Sequence, residues 1–260
     1  MLKEGIRILA GSSENSISAI SINTGTEIPG DGNYMKGALI PKNTFRSLSD
    51  AEKTIVFTNQ SNAAGMNYNE IIKIIQLPEN LQNMIMSIHL NSLESYEQLE
   101  DTVTQEDFKI FAKDLMEYVG SKSLTSEIYN LGIQIEPGNE YTTTKHSDEY
   151  VGLHIDSWDK QPVSERKNSR NRICFNIGKG SRYLYFINIP VTDLCSEFPE
   201  DHIDHIVTDF LISNPDYPVL RIQIKPFEGY IAPTEYIIHD GSTAGSNFKD
   251  ITFTVRSNFH

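Results

Sequence analysis

Two histidines and one carboxylate stand out for the chemistry they could do together. His154 and Asp156 are two apart in the run Tyr150-Val-Gly-Leu-His-Ile-Asp-Ser-Trp158. Alternate side chains of an extended chain share a face, so this imidazole and this carboxylate would point the same way. His239 closes a later run of β-branched and aromatic residues, just before Asp240-Gly241. Two imidazoles and a carboxylate on one side of a metal leave three positions open, which suits Fe(II). Further on, Thr252, Thr254 and Arg256 fall on one face of Ile251–Ser257, and Ile251, Phe253 and Val255 on the other. A guanidinium offers a planar fork to a carboxylate. Arg256 therefore reads as the anchor for the distal carboxylate of a chelating keto acid, with the Thr254 hydroxyl beside it.

Other residues compete for these roles. A second His-x-Asp lies just upstream at His146-Ser-Asp148. The later pair is preferred because a β-type stretch carries it and a polar loop follows it. His202 and His205 read as polar residues of a helix, off the stripe of Ile203, Ile206, Phe210 and Leu211. The loop Asp159–Arg172 holds Lys160, Arg166, Lys167, Arg170 and Arg172. It reads as a mobile lid for an anionic substrate or as a plain solvated loop. Trp158 would line a substrate pocket or its rim. Cys174 and Cys195 form no CxxC and read as reduced packing residues.

The elements that must position these residues are mostly strands. Ile128–Ile135, Tyr150–Asp156, Arg172–Ile177, Tyr183–Ile189, Val219–Ile224, Gly229–Ile231, Tyr236–His239 and Ile251–Ser257 are β-branched or aromatic runs between turn-forming clusters. One helix interrupts them at Asp201–Ser213. Another spans Thr104–Val119, where Phe108, Phe111, Leu115 and Val119 recur at helical spacing and Thr104 would cap the start. That apolar stripe needs a sheet face to cover it. Ile8–Ala10 and Ile17–Ile22 read as short strands, and Asn69–Leu77 as strand or helix. The expected class is α+β: a double-sheet jelly-roll core with flanking helices. It would form one domain over residues 1–260, with the core at about 126–258 and a mixed flanking region at about 1–125.

The ordered set of His154-x-Asp156, His239 and Arg256 resembles the Fe(II)/2-oxoglutarate-dependent dioxygenases, over roughly residues 126–258. The resemblance implies a double-stranded β-helix with His154, Asp156 and His239 on Fe(II). It also implies Arg256, helped by Thr254, on 2-oxoglutarate. The implied activity is oxidation of an unactivated C–H bond with O₂, releasing succinate and CO₂. A carboxylate at 156 favours hydroxylation over halogenation, whose enzymes have a small residue there. The substrate would be a small molecule, an amino acid or a peptide-like compound. Two rivals remain at this point: a cupin-type metalloenzyme that needs no keto acid, and a non-catalytic jelly-roll binding module.

Bulk properties narrow the field. Lys and Arg number 22 against 35 Asp and Glu, a formal charge of −13, which argues against a nucleic-acid partner. No run approaches the roughly 18 apolar residues of a membrane span. The amino-terminal residues lack a basic start followed by a long apolar stretch, so the cytoplasm is the expected location.

Overall fold

The computed structural model describes residues 1–9, 19–30, 32–194 and 203–260, and Asp204 by its backbone alone. Expectations touching Ala10, Ile17, Cys195, Asp201 and His202 lie outside the described residues.

Short strands dominate the first part of the chain: β1 (Arg7–Leu9), β2 (Ile20–Ile22), β3 (Thr26–Glu27), β4 (Ile40–Pro41), β5 (Arg46–Ser47), β6 (Phe57–Thr58) and β7 (Ile71–Gln76). The Ile-Ile-Lys-Ile-Ile run thus resolves as strand. Helices α1 (Asp50–Val56), α2 (Gln60–Ala63), α3 (Glu79–Ser87), α4 (Tyr96–Val103) and α5 (Glu106–Gly120) lie among and after them. A capping box opens α1. Ser49 Oγ accepts the Glu52 N–H, and the Glu52 carboxylate accepts the Ser49 N–H. The expected helix at 104–119 is α5, but Thr104 does not start it. Thr104 closes α4, its hydroxyl donating to the Asp101 carbonyl, and Gln105 precedes α5. The two helices abut, so the preceding one claims the threonine.

The second part holds β8 (Tyr129–Glu136), β9 (Lys145–His146), β10 (Glu149–Tyr150), β11 (Asn171–Asn176), β12 (Arg182–Pro190), α6 (Val191–Leu194), α7 (Ile203–Ser213), β13 (Leu220–Ile224), β14 (Glu228–Ala232), β15 (Ile237–Ser242) and β16 (Asp250–Ser257). One sheet has the order β6-β1-β7-β14-β11-β16-β8, and the other β15-β12-β13-β2-β5. His154 bridges antiparallel to His239, placing the segment around it beside β15. From β8 onward the chain therefore visits the two sheets in the order large, small, large, small, small, large, small, large. That alternation is a double-stranded β-helix, the jelly roll that the strand pattern suggested and the fold that the resemblance implied. β7 also pairs with β14, and β2 with β13, so residues before 125 extend both sheets.

Tyr150–Asp156 is not the single strand that its composition suggested. Tyr150 turns back in the β9–β10 hairpin, and Gly152, at φ +74°, breaks the extended run. The chain then re-enters the sheet for a few residues only.

Register decides what faces inward. Along β11 and β16, Ile173, Phe175, Ile251, Phe253 and Val255 join Leu81, Ile85, Phe111, Leu115 and Val119 of α3 and α5 in one apolar layer. The sheet face that α5 required is thus the outer face of the large sheet. The alternate residues, Arg172 and Cys174 opposite Arg256 and Thr254, share the other face. No helix among the described residues is long and apolar enough to cross a membrane.

Candidate metal centre

His154 and His239 exchange both backbone hydrogen bonds, at 3.0 and 2.8 Å, so their side chains stand side by side on one sheet face. Their ring centroids are 4.7 Å apart. Asp156 reaches the same point because its N–H donates to the Thr234 carbonyl, which keeps the short segment extended. One ligand atom from each of His154, Asp156 and His239 lies within 4.8 Å of the others. No other His, Cys, Asp or Glu group among the described residues could hold a metal ion in this way.

The imidazoles are set in the correct sense for ligation. His154 Nδ1 lies 2.8 Å from the Gly152 carbonyl, and His239 Nδ1 lies 3.2 Å from the Ile237 carbonyl. A carbonyl only accepts, so each Nδ1 carries the hydrogen and each Nε2 keeps its lone pair. Both Nε2 atoms face the carboxylate, 3.7 Å from Oδ1 for His154 and 3.7 Å from Oδ2 for His239. Burial pushes the Asp156 carboxyl up, but Arg172 and the two histidines together hold it well below the ordinary range. Burial drives His239 down to about 3, against an ordinary 6.5, so this imidazole is neutral at physiological pH. Burial opposes charge on His154 too, but the Asp156 hydrogen bond and the Asp240 charge raise it on balance. One neutral imidazole, one anionic oxygen and a second imidazole that gives up its proton on ligation converge on one point, a donor set that fits a divalent cation of the first transition row.

A cavity of about 450 Å³ opens beside Asp156 and His239. Arg172, Cys174, Arg182, Tyr230, Thr252 and Thr254 are among the residues that line it. Arg182 comes from the start of β12. Its guanidinium reaches Cys174 Sγ at 3.0 Å and Asp250 Oδ2 at 3.5 Å, and its Nε has no hydrogen-bond partner. Gly241 makes room for it, since a Cβ there would lie 2.8 Å from Arg182 Nη2 and 2.3 Å from Thr143 Oγ1. Trp158, 56% exposed, stands at the cavity edge.

Arg256 is placed differently from Thr254. Its guanidinium pairs with the buried Glu235 carboxylate and with Asp159 Oδ1 at 3.2 Å. It does not line the cavity. The loop Asp159–Arg172 is likewise engaged. Arg166, buried, donates to the Asp156 and Glu235 carbonyls and to Ser157 Oγ. Lys167 pairs with Glu70 at 2.7 Å, and Arg170 with Asp159 at 2.6 Å. Arg166, Lys167 and Arg170 thus serve as clamps on neighbouring elements. Sequence reasoning counted Arg172 among the cations of the loop and Arg182 among residues that could face a substrate, without giving either a role at the metal, and it passed over Gly241. The alternation of Arg172 with Ile173 was visible, but which strand would face the metal was not.

The other histidines stand apart. His146 and Asp148 are exposed on the β9–β10 turn, where Ser147 and Asp148 both take positive φ. His205 is exposed on α7.

A two-histidine, one-carboxylate cluster inside a double-stranded β-helix defines the class of site. No protein-family model matches the sequence, and no curated protein matches it. Solved structures of the Kdo hydroxylase KdoO, a non-heme Fe(II) alphaketoglutarate dependent dioxygenase, are similar in fold. Its complex with succinate and Fe(III) is 13% identical at a TM-score of 0.41, covering 76% of this chain and 83% of that chain. Its cobalt(II) complex is 14% identical at a TM-score of 0.41, with the same coverage.

Proposed function

We propose that this chain is a non-haem Fe(II) oxygenase that uses 2-oxoglutarate to oxidise, by hydroxylation, a C–H bond of a small or peptide-like substrate. The observation that carries the reading is the pair of Nε2 lone pairs converging with the Asp156 carboxylate at the wall of a cavity lined by buried cations. His154, Asp156 and His239 would hold the iron on one side and leave the cavity side open. Ferrous iron chelated by a keto acid supplies O₂ activation when bound.

The protein's own residues do the rest. Arg182, which lines the cavity, is the better partner for the distal carboxylate of the keto acid, because Arg256 lies outside the cavity lining and is paired with Glu235 and Asp159. Burial opposes the charge on Arg182, yet nearby Asp250 and Cys174 keep it raised above the ordinary value, so it stays cationic. Thr252 and Thr254 add hydroxyls to the same cavity. Arg256 instead ties the loop after Asp156 to β16 through Asp159, which keeps the ligand strand in place. Trp158 and Leu131 offer apolar surface along the same wall.

Anaerobic titration with Fe(II) and then 2-oxoglutarate, followed by visible absorption, tests the reading. A weak charge-transfer band is expected in the wild type and is lost in His239→Ala. Arg182→Ala should abolish the band at moderate 2-oxoglutarate while leaving metal uptake intact, and Arg256→Ala should retain it. Iron uptake without any band would turn the reading toward a keto-acid-independent metalloenzyme. No metal uptake would turn it toward a binding module.

A further inference from the structure

Each candidate ligand has an orienting partner behind it. For His154 and His239 this is a main-chain carbonyl on Nδ1. Asp156 lies outside the regular strands, and its main chain is pinned at both ends. Its N–H donates to the Thr234 carbonyl at 3.0 Å, and its carbonyl accepts from Arg166 at 2.6 Å. Oδ2 of its side chain accepts no well-aligned hydrogen bond, and its partner is an ion pair: Arg172 Nη2 stands 2.8 Å away.

Arg172 can do this because of where it is mounted. It sits in β11, in register with Ala232 of β14 on one side and Arg256 of β16 on the other. Both neighbours are fixed by the sheet, and Glu235 and Asp159 take the Arg256 guanidinium. That leaves Arg172 facing the ligand carboxylate from the large sheet, across the barrel from the two histidines. Its side chain is largely buried, at 18% exposure, and lines the same cavity.

We infer that Arg172 is a positioning residue for the metal: it holds Oδ2 of Asp156, so the carboxylate offers the metal one oxygen and an open coordination position is preserved. A carboxylate free to turn could bind through both oxygens and occupy a position that a chelating co-substrate requires. Removing an outer partner of a ligand typically weakens metal binding about 10- to 100-fold. Here the guanidinium must offset its own repulsion of a dication by the order it imposes. The inference rests on the metal reading proposed above and adds a specific role within it.

Co(II) titration of the metal-free protein without 2-oxoglutarate tests it, reading both affinity and the visible ligand-field spectrum. Arg172→Met should fold as the wild type does by circular dichroism, bind Co(II) about 10- to 100-fold more weakly, and show an altered spectrum. Arg172→Lys, which restores charge but not the planar fork, should recover part of the affinity. Should Arg172→Met fail to fold, Arg172→Gln takes its place with the same readings. Wild-type affinity and spectrum in the variant would overturn the inference. So would tighter binding, which would make Arg172 a competitor of the metal. A wild type that takes up no Co(II) would instead sink the metal reading itself.

Discussion

Gly152 shows how much a single residue decides at this site. Its φ of +74° turns the chain out of the β9–β10 hairpin, and its carbonyl accepts from His154 Nδ1. A Cβ at this position would lie 2.6 Å from the Leu39 carbonyl oxygen. Gly152→Ala should therefore cost about 1–3 kcal/mol of stability and weaken Co(II) binding, because the first ligand loses its aim. Denaturant unfolding and Co(II) titration check the two halves separately. Gly241 matters for the other end of the cavity. Gly241→Ala should displace Arg182 and Thr143, raising the Kd for 2-oxoglutarate while the Co(II) Kd stays near wild type. Equal losses of both affinities would show that the two ends of the cavity are not separable.

Among the elements, α5 does structural work remote from the metal. Phe111 is 1% exposed and packs with the outer face of the large sheet. Phe111→Ala should cost about 3–5 kcal/mol in urea unfolding. The folded remainder should bind metal normally, since the inner faces of β11 and β16 are untouched. At α1 the expected effect depends on pH. The Arg46 hydrogen bond chiefly draws the Glu52 carboxyl down from 4.5 to about 2, against the opposing effect of burial. A carboxyl lowered in the folded state stabilises above its unfolded value, and the contribution fades as pH falls toward the folded one. Unfolding midpoints of Glu52→Gln should thus converge on those of the wild type between pH 4.5 and about 2. A constant gap across that range would mean that the capping box, not the charge, carries the effect.

For the whole molecule, metal binding and folding are linked. The three ligands come from two segments that meet only when the small sheet closes, so the unfolded chain has no comparable site. A ligand held at about 100 times its Kd adds about 2.7 kcal/mol. For a chain of this size that raises Tm by about 5–10 °C. Co(II) should produce this shift in the wild type and none in His239→Ala. The excess of acidic over basic residues coexists with an interior whose guanidiniums, Arg166, Arg172, Arg182 and Arg256, are engaged with carboxylates, carbonyls or a thiol. Net charge describes the surface that a partner meets, whereas the cavity is lined by buried cations.

Local pattern alone determined a good deal. The alternation in β16 separated Ile251, Phe253 and Val255 from Thr252, Thr254 and Arg256, and the two sets do face the helices and the opposite side. The spacing of His154, Asp156 and His239 in β-type runs was enough to name the cluster that converges. The first signal and the His154–Asp156 pairing are short-range, since side-chain direction repeats every two residues along a strand, whereas His239 was joined to them by the resemblance of the ordered set. What the tertiary structure decided is which charges meet. Arg256 was legible as an inward cation, but Glu235 and Asp159, brought in from the β14–β15 turn and the loop after Asp156, claim it. Arg182 read as a strand residue that could face a substrate, but only the order of strands carries it into the cavity beside Cys174 and Asp250. Pairings of this kind join residues tens of positions apart. They are set by sheet order and register, which no local periodicity encodes.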